Sequence, residues 1–118
     1  MSIRLTDQGA LIAVCENLEI DGIQVAAVAK GSMESTELWR VGGDEILVPS
    51  GRTFEYGAEV LGMEEVAPPS TFEVEGRFIN VHLLADSGET VYGAHFDGDK
   101  MSADRWLGSD NQLRDDPC

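Results

Sequence analysis

The chain carries two histidines, His82 and His95, and both fall in the stretch FINVHLLADSGETVYGAHFDG. Imidazole is a frequent metal ligand and the side chain that titrates nearest neutrality. Arg77 to Ala85, RFINVHLLA, alternates as a strand does, and Glu89 to Phe96 reads as its returning partner after a turn at Asp86-Ser87-Gly88. Pairing Ala85 with Thr90 sets Asn80 opposite His95 and His82 opposite Gly93. Side chains alternate along a strand, so Asn80, His82 and His95 then share one face. Diagonal neighbours on such a ladder lie about 7–8 Å apart at the backbone, so the two imidazoles can converge. Gly93 leaves space beside His82. A three-residue loop would shift this register by one and break the arrangement.

Three kinds of chemistry fit such a face. In the first, the histidines hydrogen-bond within the sheet or line a subunit contact. In the second they hold a metal, with zinc the candidate cofactor, and a carboxylate acts as base in metal-assisted hydrolysis. A catalytic zinc takes three protein ligands plus water. Asn80, Asp97 or a carboxylate from another strand or subunit would have to be the third. Asparagine is a poor zinc ligand, which counts against a metal. In the third, a metal-free polar pocket binds a small ligand.

Other nucleophile patterns are weak. No G-x-S-x-G surrounds Ser102, and Gly31-Ser32-Met33 lacks the lysine of a phosphate loop. Cys15 sits in an apolar run and reads as core packing. A bond from it to Cys118 is not expected, because Cys118 ends a polar, fraying stretch. Two unpaired cysteines suit a reducing compartment.

The elements that would hold the histidine face read as α+β. Ile3 to Leu5 starts a short strand. Thr6 or Asp7 caps a helix over about Gln8 to Leu18, where Leu11, Ile12, Val14, Cys15 and Leu18 recur at helical spacing. Ile23 to Ala29 is a buried strand. Glu37 to Val41, Glu45 to Val48 and Thr53 to Met63 are strands separated by Gly42-Gly43 and Pro49-Ser50-Gly51. Ala67-Pro68-Pro69-Ser70 is a loop, Gly98 ends the hairpin, and Ser102 to Leu107 is a last strand. This gives one domain over residues 1–107, a mainly antiparallel sheet with one N-terminal helix packed on it, and a polar tail over residues 108–118.

The chain has 118 residues, 22 acids and 8 basic residues, for a net charge of −14. Residues 1–59 hold 10 acids and 4 bases, and residues 60–118 hold 12 and 4, so the charge belongs to the whole surface. It argues against direct binding to a nucleic-acid backbone and against attachment to an anionic membrane. It fits a solvated acidic surface, as in a protein from a salty or GC-rich lineage. A second reading is an acidic DNA mimic that inhibits a basic protein, although dense rows of acids are few. No run reaches the length of a membrane span, and the first residues carry acids where a signal peptide would be uncharged. The expected location is the cytoplasm.

The hairpin resembles the PPC (plants and prokaryotes conserved) domain, whose pattern is an H-x-H strand, a turn around A-D-x-x-G, a G-G-H-L strand and a later glycine. His82, Ala85-Asp86, Gly93-Ala94-His95 and Gly98 match it, whereas Asn80 replaces the first histidine and Ala94 the second glycine. TFEYGAEVLGMEEV is similar to the family's G-x-x-E-I-L-S-L-S-G strand, through Gly57, Glu59, Val60 and Leu61. DGIQVAAVAKGSMESTEL resembles its strand after the first helix. No basic AT-hook segment precedes these stretches. The resemblance implies a homotrimer serving assembly or ligand binding, and supplies no reaction for stand-alone members. It also makes Glu59 a candidate hydrogen-bond acceptor near the hairpin; the alternative is a solvated strand residue.

Overall fold

Alternation of apolar residues, not helical spacing, organises this chain. In the computed structural model, which describes residues 1–86 and 88–118, two five-stranded antiparallel sheets face each other across one core. The first sheet contains β1 (Ser2–Thr6), β2 (Gly9–Ala13), β5 (Thr53–Glu55), β9 (Trp106–Gly108) and β10 (Leu113–Arg114), in the order β10-β9-β1-β2-β5. The second contains β3 (Leu18–Ala29), β4 (Ser35–Val48), β6 (Met63–Ala67), β7 (Arg77–Ala85) and β8 (Glu89–Asp97), in the order β6-β4-β3-β7-β8. Ile3 and Ile12 of the first sheet and Ile23, Val25, Ile79, Val81, Leu83 and Phe96 of the second meet in the core, each at most 1% exposed. Burying each such side chain contributes about 1.5–3 kcal/mol.

The α+β expectation is therefore overturned: among the described residues there is no α-helix, only a 3₁₀ turn at Gly98–Lys100. The segment expected as a helix is β2 and the bend after it. Thr6 pairs with Gly9, so Asp7 and Gln8 form a tight turn, and Thr6 Oγ1 accepts from the Gln8 N–H at 3.3 Å. A side chain suited to cap a helix stabilises a turn by the same hydrogen bond. Ala10 and Ile12 point inward, and β2 is paired on both edges, by β1 and β5. A short apolar run satisfies helical and strand spacing alike; two waiting partner strands settle it.

Several strand limits also differ. Gly42-Gly43 does not end a strand, and β4 runs unbroken through it. Gly43 is there for close approach: a Cβ would lie 2.6 Å from the Gly62 carbonyl oxygen. The strand expected over Thr53 to Met63 is cut to β5, because Gly57 and Gly62 adopt φ of 79° and 87°, which turn the chain. Glu59, Val60 and Leu61 thus lie in a turn segment rather than a strand. The last strand is shorter than expected, at Trp106–Gly108.

The polar tail does not fray. Leu113 and Arg114 pair with Leu107 and Trp106, and the Ser2 hydroxyl donates to the Pro117 carbonyl at 2.7 Å. Cys15 and Cys118 are joined in a disulfide with Cα atoms 5.5 Å apart. The expectation of two unpaired cysteines was wrong because β10 and the Pro117 contact bring the tail back beside the end of β2. With it goes the support the cysteines lent to a reducing compartment. No helix among the described residues is long and apolar enough to cross a membrane.

The β9–β10 turn is held by the Asp110 carboxylate, which accepts from Arg114 Nη1 at 2.9 Å and from the Gln112 N–H at 3.1 Å. The Arg114 hydrogen bond, then the Gln112 amide, lowers the Asp110 pKa from 3.8 to about 2. A depressed acid stabilises the fold above its ordinary pKa and loses that contribution as pH falls, here between 3.8 and about 2. We expect an NMR carboxyl titration of Asp110 to show a midpoint near 2, and Arg114→Ala to raise it without restoring 3.8, since Gln112 still donates. An unchanged midpoint in the variant would refute the assignment.

Candidate functional site

Strand β7 alternates cleanly. Ile79, Val81 and Leu83 are fully buried, so Phe78, Asn80 and His82 must face outward. The ladder with β8 pairs Asn80 with His95, Val81 with Ala94, and His82 with Gly93. This is the register expected from the sequence at the histidines, but it is reached differently. Ala85 pairs with Glu89, not Thr90, and Leu84 pairs with Thr90. Three residues separate the strands, and Val91 is the extra residue of a bulge opposite the Leu83–Leu84 step. The bulge absorbs the one-residue shift that this loop length imposes. Asp86, at φ 50°, and Gly88, at φ 107°, flank the turn, and Ser87, its expected middle residue, lies outside the described residues.

Asn80, His82, Gly93, Ala94 and His95 line one shallow depression of about 230 Å³. Each imidazole already has a polar partner. His95 Nδ1 hydrogen-bonds Asn80 Oδ1, and His82 Nδ1 lies 3.3 Å from Thr90 Oγ1. The His95 ring stacks on Phe78 with centroids 4.6 Å apart. With Nδ1–H of His95 donating to the Asn80 carbonyl oxygen, a neutral ring presents Nε2 as an acceptor at the surface. Half-buried His82 sits over Gly93, where a Cβ would stand 3.5 Å from its Nδ1.

Neither remaining candidate, Asp97 or Glu59, lines this depression. Asp97 follows on the same face, two residues after His95, but its carboxylate accepts from Lys30 Nζ at 2.7 Å. Lys30 also bridges to Asp99 at 2.7 Å and stands 5.3 Å from the Phe78 ring centre. The Lys30 hydrogen bond holds the Asp97 carboxyl below its usual pKa. Glu59 is exposed in the segment after β5 and does not line the depression. Among the described residues no group of three or more His, Cys, Asp or Glu side chains is placed to hold a metal ion. Within the depression the third polar side chain beside His82 and His95 is Asn80, whose oxygen is already committed to His95.

Phe78 and Thr90 are the site residues that sequence reasoning missed. Phe78 was findable, since it lies two residues before Asn80 on the same strand face. Thr90 was not, because only the bulge brings it to the outward side. A cavity of about 770 Å³ lies apart from the histidines, between the β1–β2 turn and the 69–74 segment. Its walls include Asp7, Gln8, Glu55, Tyr56 and Phe72 but no imidazole, thiol or cation.

Comparison with known proteins returns nothing at this point. No family model, no curated protein and no solved structure matches the chain.

Proposed function

We propose that this protein is a non-enzymatic binding module whose histidine face takes a small polar ligand. The observation that carries this reading is the engagement of both imidazoles by neutral partners, Asn80 and Thr90, over an open glycine floor. Such a face offers hydrogen-bond acceptors and donors to a hydroxyl- or carboxylate-bearing ligand. Asp97, the carboxylate two residues beyond His95 on the same strand, is tied to Lys30. The PPC resemblance at the hairpin supports assembly into a homotrimer as part of the same proposal.

Three measurements test it. Imidazole ¹H–¹⁵N spectra recorded with a panel of polyols and small carboxylates are expected to show both histidines shifting with one midpoint, and His82→Ala to weaken that binding about tenfold, or about 1.4 kcal/mol. No shift with any compound at millimolar concentration would defeat the binding reading. Metal analysis of untagged protein is expected to find substoichiometric zinc, the same in the His82→Ala/His95→Ala variant. One zinc per chain that disappears in that variant would revive hydrolysis. Light scattering is expected to give three times the 12.8 kDa of one chain, held better as salt screens the −14 per subunit. A single-chain mass at both low and molar salt would sink the trimer.

A further inference from the structure

The β3–β4 pair extends beyond the rest of its sheet. Strand β7 pairs with β3 only from Gly22 onward, so Leu18 to Ile20 have β4 alone as a ladder partner, through Ile46 to Val48. On this ribbon Leu47 stands directly opposite Glu19 and is 72% exposed. Asn17, Leu18, Glu19, Leu47, Val48 and Pro49 enclose a groove of about 640 Å³ with a mainly apolar wall. Leu47 gives the groove an exposed apolar anchor.

The rim is acidic. Glu19 and Glu45 lie within hydrogen-bond reach of each other, and Asp21 and Asp86 add their fields to Glu45. None of the six groove residues is basic. From these observations we infer that the ribbon groove binds a short protein segment that presents an apolar side chain flanked by lysine or arginine. The leucine cavity would take the apolar residue and the Glu19–Glu45 rim the cations. A second copy of this groove fits poorly, because it would set an equally acidic rim against Glu19 and Glu45. The Glu45 carboxyl is held above its ordinary pKa, first by the hydrogen bond and charge of Glu19 and then by burial, Asp86 and Asp21. A cation placed between the two glutamates would relieve that repulsion. This site is separate from the histidine face, and either can fail alone.

The test uses a fluorescein-labelled Lys-Leu-Arg-Leu-Lys peptide and the full chain, read by anisotropy. Saturable binding is expected, weakening with salt. Leu47→Ser is expected to weaken it about tenfold, as loss of a buried leucine contact of about 1.4 kcal/mol would. Glu19→Gln with Glu45→Gln is expected to weaken it and flatten the salt dependence. Met33→Ser, fully exposed in the connection at the opposite end of the β3–β4 pair, serves as control and should change nothing. A peptide with serine in place of both leucines is expected to lose the binding. Equal binding of the serine peptide, or an unchanged Leu47→Ser variant, would show charge attraction alone and overturn the inference. So would the absence of saturable binding, or a Leu47-dependent self-association seen by light scattering. Leu47 and both glutamates are exposed, so these variants test the contact rather than the fold.

Discussion

Removing the Cys15–Cys118 disulfide, by Cys15→Ser with Cys118→Ser, is expected to destabilise the protein by about 4–5 kcal/mol and to lower its melting temperature by roughly 10–20 °C. The size follows from the loop. The bonded residues are 103 apart in sequence, so the bond removes much of the freedom of the unfolded chain. What remains at the tail is weaker: the half-exposed Asp110–Arg114 pair, the more exposed Arg105–Asp115 pair and the Ser2–Pro117 hydrogen bond. Exposed ion pairs contribute about 0–1 kcal/mol each. Calorimetry with and without reductant checks this. Reductant should lower the wild-type transition to that of the double variant and leave the variant where it is. A shift below about 1 kcal/mol would mean that the bond does not restrain the unfolded chain as argued.

Gly98→Ala is the second large effect, expected to cost about 3 kcal/mol. Gly98 begins the 3₁₀ turn that packs against the turn before β7. A Cβ there would stand 2.1 Å from the Val74 carbonyl oxygen and 2.6 Å from that of Arg77. Both obstacles are backbone, so no side chain can swing aside. The two turns would have to part, and the Asp99 carboxylate that accepts from the Gly76 N–H at 2.8 Å would lose its geometry. The Lys30 bridge to Asp97 and Asp99 would loosen with it. Gly93→Ala is the control: its Cβ meets His82 at an ordinary 3.5 Å, so a change within about 1 kcal/mol is expected. Denaturant unfolding of both variants decides the matter, and equal midpoints would refute the collision argument.

Gly98 was legible in the sequence as the glycine ending the hairpin, but its reason was not. The need arises from Val74 and Arg77, more than twenty positions earlier in the chain. The hairpin itself was the most legible part. Ile79, Val81 and Leu83 alternate with Phe78, Asn80 and His82, so period and composition agree on a strand. The pairing of the site residues also came out as expected. The loop length did not, and only the Val91 bulge reconciles the two.

The first twenty residues were the least legible. Leu11, Ile12, Val14, Cys15 and Leu18 satisfy a helical stripe, yet β2 is a strand because β1 and β5 supply its hydrogen bonds on both edges. Local spacing cannot report partners that lie forty residues away. The same limit hid the disulfide.

By itself, then, the amino-acid order determined the charge of the whole surface, the alternation that builds β7 and β8, and the shared face of Asn80, His82 and His95. These are local properties, set by composition and by the two-residue period of a strand. Only the tertiary structure decided that Gly9 to Ala13 is a strand and not part of a helix, that Asp97 belongs to Lys30 and not to the histidines, and that Cys118 closes on Cys15. Each of these depends on contacts between residues far apart in the chain, whose cost is paid in chain entropy and whose return comes only when both sheets close on one core.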